Sequence, residues 1–326
     1  MNNQIYVKGK GCISAKIIAD SISFNTNKRI TTFEIEYPRF ILAELSMHRN
    51  FSKSSSSSRA IKTESMLEQI KNNPAMPIHW GKNQSGMQAE NENDQEIEIE
   101  LKNETILLDK ITTWKLASVQ AVHLAEDFAN AGYHKQIVNR LVEPYQIMKT
   151  IVTATEYDNF FYLRCHKDAQ PEIQELANCM YQAYKTSDSQ MLYNYEWHLP
   201  FIENYRDEND VLHYGNIETE LTLEHAKMIS ASCCAQTSYR KNDDTYEKAL
   251  KIYDKLITSK PPHSGPFEHQ ATPIFEIRKG WLNGITHVDR KGNYWSGNFQ
   301  GWIQFRQLIP NNTCWNYEET LDNQID

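Results

Sequence analysis

Polar and apolar positions alternate through RITTFEIEY, where Ile30, Thr32, Ile35 and Tyr37 sit among polar neighbours. A period of two is the signature of a half-buried strand, so the pattern predicts strands over 12–24 and 30–37, joined by a turn at the Asn-Lys or Lys-Arg pair. The period then changes. Pro38 opens a helical pattern through Phe40, Ile41, Leu45 and His48, and a shorter one runs from Thr63 to Ile70. Trp114, Ala117, Ala121, Leu124 and Phe128 mark an amphipathic helix that stops near Gly132. Another begins near Lys135 and carries Arg140 until Pro144. Asn159–Arg164 lead into a helix with Pro171 in its first turn and Ile173, Leu176, Ala177, Met180 and Tyr184 on one face. Helical patterns follow over 222–235 and from Tyr246 through Leu250, Tyr253 and Leu256, the last ending at Pro261-Pro262. Residues 186–220 read as loop with short strand, and His198 within them as structural.

Between the early helices, NNPAMPIHWGKNQSGM and the acidic AENENDQEIEIELKNET have a surface composition, polar and rich in turn residues. Residues 72–110 are therefore expected to be a solvated excursion without chemistry, with Trp80 and His79 packed on the core rather than covering a site. Composition narrows the class further. With 40% hydrophobic and 23% charged residues in 326, the chain has the content of an ordinary globular protein able to bury a sizeable core. A net charge of -8 argues against a broad footprint for duplex nucleic acid, so any nucleotide is held by a local cluster. No apolar run is long enough to span a bilayer, and the N-terminus lacks the apolar core of a signal peptide; a cytoplasmic protein is expected. The six cysteines contain no C-x-x-C pair, which favours reduced thiols and no structural metal. Cys233 and Cys234 read as small buried residues, not nucleophiles.

The chemistry concentrates in ELSMHRNFSKSSSSSR, Glu44–Arg59, which supplies a histidine, two arginines and a serine run. Guanidinium forks and rotatable hydroxyls are donors suited to phosphate oxygens and nucleotide carbonyls. A flexible Ser-rich linker is the competing reading of the same composition. His48, Arg49, Ser52, Ser57 and Arg59 are similar in type and spacing to the signature of flavin-dependent thymidylate synthases, Arg-His-Arg, two residues, Ser, four residues, Ser, any residue, Arg. LRCHKDAQPEIQ resembles the same family's L-R-x-x-x-x-A-Q-x-E-I-Q at Leu163, Arg164, Ala169, Gln170, Glu172, Ile173 and Gln174. HSGPFEH resembles its H-x-T-P-F-E-H at His263, Pro266, Phe267, Glu268 and His269, with Gly265 in place of threonine.

The resemblance implies an α+β fold with a central, mostly antiparallel sheet flanked by helices. It covers roughly 30–60, 113–185 and 222–275. In the family the P-F-E-H piece precedes the Arg/Ser signature, whereas here it follows, so the chain resembles a single permuted catalytic domain. The implied activity is reductive methylation of dUMP to dTMP, with FAD as cofactor and NADPH and methylenetetrahydrofolate as co-substrates, in a homotetramer with sites at its interfaces. By resemblance, Arg164 is the catalytic residue that steers the pyrimidine and stabilises negative charge on it. Glu44, Ser55, Ser56, Ser57, Ser58, Arg59 and Arg140 would hold the nucleotide; His48, Arg49, Asn159, His263, Gly265 and Glu268 would face the flavin.

The departures are local. Met47 stands where the signature has its first arginine, Glu44 replaces a glutamine and Ser55 a glutamate, while Thr153 and Thr155 occupy positions of polar flavin-contacting residues. Arg306 or Gln304, in a C-terminal echo of the segment before the signature, is a candidate replacement for the lost groups. A glutamate at position 44 can accept a hydrogen bond from a cytosine amino group. Pyrimidine deoxynucleotide hydroxymethylation, or an enzyme acting on dCMP, is accordingly the alternative. A noncatalytic nucleotide-binding protein is the third reading, and it predicts a colourless protein.

Overall fold

The computed structural model describes residues 5–86, 89–101, 104–238, 243–259, 262–275 and 283–318. Pro261, expected at the end of a helix, lies outside them. The predicted hairpin forms from β2 (Ser14–Ser23) and β3 (Arg29–Pro38), antiparallel, with β1 (Tyr6–Lys8) on the outer edge of β2. Asn27 takes φ 53 in the turn, a left-handed conformation that asparagine tolerates better than most residues. Pro38 ends β3 instead of opening a helix: its fixed φ is compatible with ψ 131, and it pairs with Ile147. A 3-10 turn at Arg39–Ile41 and the short α1 (Leu42–Ser46) follow. The helix stops before His48 because the chain turns to supply β4 (Ser52–Ser55), and Lys53 Nζ donates to the carbonyls of Ser46 and His48 at its end.

α2 (Thr63–Asn72) packs Met66, Leu67 and Ile70 against Val122 and Ala125 of α3 (Lys110–Asn130). The helix of the pattern is there, and it stops at Gly132, φ 86. Its buried stripe is narrower than its apolar face, however, and Leu124 and Phe128 stay exposed. Between the two helices the acidic stretch contains a hairpin, β5 (Ile97–Leu101) with β6 (Glu104–Leu108), which pairs with no other strand among the described residues. Trp80 packs edge-on against Trp114, as expected of a core-covering aromatic. The helix expected to carry Arg140 is only α4 (Lys135–Val138). Asn139 is buried beyond it, its amide donating to the carbonyls of Ser58 and Ile61.

β7 (Ile147–Ala154) is the strand that the pattern did not show. It lies between β3 and β4, buried on both faces, so its side chains read as a nearly continuous apolar and Thr-rich run with no clean alternation. β8 (Gln190–Leu192) adds a parallel pairing on β2, giving the order β1-β2-β3-β7-β4 with β8 beside β1 on the β2 edge. α5 (Asp158–Arg164) and α6 (Pro171–Thr186) cover one face, burying Ile173, Leu176, Ala177 and Met180 against Phe33, Ile35, Tyr37 and Val152. Burying a side chain of this size contributes roughly 1.5–3 kcal/mol, so this layer is the main core.

The other face is covered by the C-terminal half. Within it, 186–220 holds a three-stranded sheet of β9 (Asn204–Arg206), β10 (Leu212–Gly215) and β11 (Glu220–Leu221), more structure than its polar pattern suggests. α7 (Leu223–Ala235) and α8 (Tyr246–Thr258) pack on Phe267 and Phe305. β12 (Ala271–Pro273) pairs with β16 (Trp302–Gln304), while β13 (His287–Val288), β14 (Tyr294–Ser296) and β15 (Phe299–Gln300) form a small meander. Gly301, φ 74, allows this layer to approach the β2–β3 turn; a Cβ there would stand 2.8 Å from Thr26 Oγ1. Trp302 then packs under Ile30 and donates to the Lys28 carbonyl. The architecture is α+β, with mostly antiparallel pairing.

Candidate functional site

β4 is the edge strand of the sheet, and the strand period divides the serine run between its two faces. The run is thus an ordered strand and turn, not a linker. Register places Lys53 and Ser55 toward the helical layer, where Thr150 Oγ1 donates to Ser55 Oγ at 2.9 Å and also meets the Tyr37 hydroxyl at 2.8 Å. Ser52 and Ser54 face the C-terminal layer. Ser56 continues the pairing: its amide donates to the Lys149 carbonyl, and its Oγ accepts from the Lys149 amide at 3.3 Å. Ser57 turns the chain. Its Oγ accepts from the Arg59 amide at 3.2 Å, its own amide donates to Ser238 Oγ at 2.9 Å, and its carbonyl caps the turn through Ala60 and Ile61. Ser58 is buried, with its carbonyl held by Asn139. Arg59 projects from this turn into solvent.

On the helical side the structure brings His48 to Arg164. Arg164 Nε donates to His48 Nε2 at 3.0 Å, and the imidazole sits edge-on to Phe160, with ring centroids 4.8 Å apart. Burial, then the charges of Arg164 and Lys53, lower the His48 pKa to about 4. The ring is therefore neutral at pH 7, accepts at Nε2, and leaves the arginine's charge uncompensated. Among the described residues, Arg49, Arg59 and Arg164 have no carboxylate partner. Arg140 differs. It pairs at 3.2 Å with Glu143, which also takes Arg39 at 2.8 Å. Glu44, on α1, has a buried Oε2 without a hydrogen-bond partner among the described residues.

The C-terminal layer brings the third motif onto the same strand. A 3-10 turn at Gly265–Glu268 lies against β4, and His269 is fully buried between Ser54 Oγ, 2.8 Å from Nε2, and Thr153 Oγ1, 2.9 Å from Nδ1. Glu268 is ion-paired with Arg306, whose Nε is itself buried and has no hydrogen-bond partner among the described residues. Gln304 is buried and donates to Ser52 Oγ, Asn298 Oδ1 and the Glu268 carbonyl. Both residues singled out in the C-terminal echo thus reach the strand, Arg306 through Glu268 and Gln304 directly. His263 and Asn159 are exposed, and a Cβ on Gly265 would meet nothing within 4 Å. Thr153 and Thr155 are otherwise engaged. The first bonds Thr32 and His269, so its hydroxyl is fully used, and the second accepts from the Gln300 amide.

Lys53, Ser54 and Asn139 are additions of the structure, because only strand register and the buried turn reveal them. Neither the Cys233–Cys234 pair nor Cys165 carries an activated thiol. Burial pushes Cys233 up to about 12 and raises Cys234 well above the ordinary thiol range, and Cys165, next to Arg164, is also raised by burial. Thiolates are the nucleophilic form, so these cysteines are inert at neutral pH.

A half-buried Arg164 held by His48, together with an ordered Ser/Arg strand and turn, agrees with the comparison to known families. Residues 28–187, about half of the chain, match the model for thymidylate synthase complementing protein. The matched stretch belongs to that family. No curated protein matches it. The thymidylate synthase complementing protein match contains the Ser/Arg run and the Arg164 segment. The HSGPFEH motif lies outside the matched residues, yet it packs on the strand that carries the run. No helix among the described residues is long and apolar enough to cross a membrane.

Proposed function

We propose that this protein is a flavin-dependent thymidylate synthase, converting dUMP to dTMP with methylenetetrahydrofolate as carbon donor and NADPH as reductant. The observation that carries the reading is Arg164: a half-buried guanidinium oriented by a neutral histidine, without a carboxylate partner among the described residues, beside a strand of hydroxyls. Such a group stabilises negative charge that develops on a pyrimidine ring, and preorganised donors of this kind contribute about 3 kcal/mol to a transition state. The residues fit a bound nucleotide and flavin, because Glu44 Oε2 and Arg306 Nε are buried without a hydrogen-bond partner among the described residues and are polar groups that a ligand would satisfy, while exposed Arg49 and Arg59 have no carboxylate partner there. Bound FAD supplies the hydride chemistry. His48, Arg49, Asn159, His263, Gly265 and Glu268 would hold it, and Glu44, Ser55–Ser58, Arg59 and Arg140 the nucleotide. In this arrangement Ser57 and Arg59 meet the phosphate, Arg164 orients the base, and the inert thiols take no part.

The contact of Glu268 and His269 with β4 supports reading the C-terminal segment as the family's first motif in permuted position. The test is anaerobic incubation with FAD, NADPH, methylenetetrahydrofolate and a mixture of dUMP and dCMP, with products identified by mass spectrometry and bound flavin by visible absorbance. Thymidylate from dUMP is expected. A colourless protein that makes no product is the outcome of a binding-only function. In solution a homotetramer is expected, and light scattering reads it directly. Arg306→Ala, which unpairs Glu268, is expected to weaken flavin binding about tenfold, or about 1.4 kcal/mol; unchanged flavin and nucleotide affinity removes the pair from the site.

One observation favours a second reading. Glu44 Oε2, buried and without a partner among the described residues, is an acceptor, which matches the amino group of a cytosine better than the carbonyl of a uracil. On that reading the enzyme modifies dCMP or installs a hydroxymethyl group. Glu44→Gln is then expected to shift the ratio of kcat/KM for dUMP over dCMP upward by about tenfold, since a site built to bond an amino group discriminates through it. An unchanged ratio in competition assays excludes Glu44 as the reader of the base.

A further inference from the structure

Five hydrogen bonds run in series through the middle of the protein. Ser21 Oγ meets His198 Nδ1 at 2.9 Å, and His198 Nε2 meets Thr32 Oγ1 at 2.8 Å. Thr32 Oγ1 meets Thr153 Oγ1 at 2.7 Å, Thr153 Oγ1 meets His269 Nδ1 at 2.9 Å, and His269 Nε2 meets Ser54 Oγ at 2.8 Å. The chain crosses β2, β3, β7 and β4 on the face beneath the C-terminal layer. Every member except Ser54 is buried.

Each of the six groups carries one mobile proton when both imidazoles are neutral, and a neutral imidazole donates from one nitrogen and accepts at the other. The bonds must then all run the same way. If His198 donated from Nε2 and His269 from Nδ1, both would point at the threonine pair, and one threonine proton would be buried without an acceptor. In the reverse mixture no proton would lie between the two threonine oxygens. A buried unsatisfied polar group is costly, so both mixtures are disfavoured. Two concordant arrangements remain: both histidines protonated at Nε2, or both at Nδ1. The first leaves the surplus proton on Ser54, the half-buried end of the chain. The second leaves it on Ser21, which has no other hydrogen-bond partner among the described residues and is 4% exposed.

We infer that His198, Thr32, Thr153 and His269 are positioning residues that make the Ser54 hydroxyl a dedicated donor, aimed outward at a carbonyl or phosphate oxygen of a bound ligand. This inference rests on the proposed nucleotide- and flavin-binding role for the identity of that ligand, but the order of the protons does not. Burial lowers both imidazoles to a pKa of about 3, in keeping with neutral rings at pH 7. A ligand oxygen at Ser54 reinforces the same sense along the whole chain.

The test is 15N NMR of the full-length protein labelled at histidine, with His198→Gln and His269→Gln used for assignment and Thr32→Val as the uncoupling variant. Both rings are expected to be neutral from pH 5 to 8, because a pKa of about 3 lies about two units below the lower end of that range, and both protonated at Nε2. Thr32→Val breaks two of the five bonds, and its rings should become tautomeric mixtures. Opposite tautomers in the ligand-free wild type, concordant protonation at Nδ1, or a charged ring at pH 6 overturns the inference. In the ligand arm, Ser54→Ala and Thr32→Val are compared with wild type by calorimetry with inorganic phosphate, dUMP and FAD as separate probes. A tenfold loss for Ser54→Ala and a smaller loss for Thr32→Val, with one of these probes, supports the donor role and names the oxygen's source. Full affinity of Ser54→Ala for every probe that wild type binds overturns it. A wild type that binds none of the three overturns the functional reading and the ligand-facing role together, while the tautomers still decide the proton order.

Discussion

Arg164→Ala is expected to lower kcat of the nucleotide reaction by about 100-fold or more, with a much smaller change in KM. The size follows from removing a single preorganised charge donor from a site where charge develops, an effect of 10²–10³ in other acyl- and group-transfer sites. Its direction on kcat and not KM follows if the guanidinium acts mainly on the transition state. A purely structural role predicts a different pattern. Arg164 closes α5, where a cation near the carbonyl end stabilises a helix by about 0.3–1 kcal/mol. Lost capping alone would lower Tm by a few degrees and leave turnover per folded molecule intact. Arg164→Lys separates the two further: it keeps the charge and the helix end but loses the planar fork and the Nε contact to His48. It is expected to recover stability fully and activity only in part. Turnover of the alanine variant within threefold of wild type would exclude Arg164 as the catalytic arginine.

Acid is expected to unfold the protein steeply between pH 6.5 and 3. His198 and His269 are fully buried and hydrogen-bonded as neutral rings, and burial lowers each to about 3. In the unfolded chain the same rings titrate near 6.5, so between these values the unfolded state binds more protons. Stability is therefore complete above about pH 6.5 and falls as the pH drops toward the folded value. Each ring contributes a slope of about 1.4 kcal/mol per pH unit over that window. Two such rings remove several kcal/mol within two pH units, a large part of the usual 5–15 kcal/mol of a folded domain. Urea midpoints between pH 7.5 and 4.5 measure the effect. His269→Gln should be less stable at pH 7.5 and show a visibly flatter pH dependence; a wild-type midpoint that is level between pH 6.5 and 4.5 would contradict neutral burial of these rings.

The local elements were legible where one face is buried and the other wet. β3 alternates because Phe33, Ile35 and Tyr37 enter the helical core while Glu34 and Glu36 do not, and α6 shows its stripe for the same reason. β7 was hidden because both of its faces are covered, which erases the alternation. β4 was hidden for another reason. Serine has little preference for strands, and this segment is extended because it pairs with β7. Of the site, Arg164 and the Ser/Arg run stood out by residue type and spacing, and the structure places Arg164 on His48 of that run. Lys53, Ser54 and the His198–His269 chain left no mark in the sequence, since hydrogen bonds between residues on different strands depend on register.

The sequence by itself determined the residue types of the Ser/Arg run and the Arg164 segment, the family match over residues 28–187, and the periodicities of the main hairpin and helices, because these rest on side-chain chemistry and near-neighbour spacing. Tertiary structure alone decided which of those groups meet. Strand pairing laid the serine run on a sheet edge, and the C-terminal layer carried Glu268, His269 and Arg306 to it. Burial then set the protonation of His48, His198 and His269, because the cost of charging a ring depends on its distance from water and not on its neighbours in the chain.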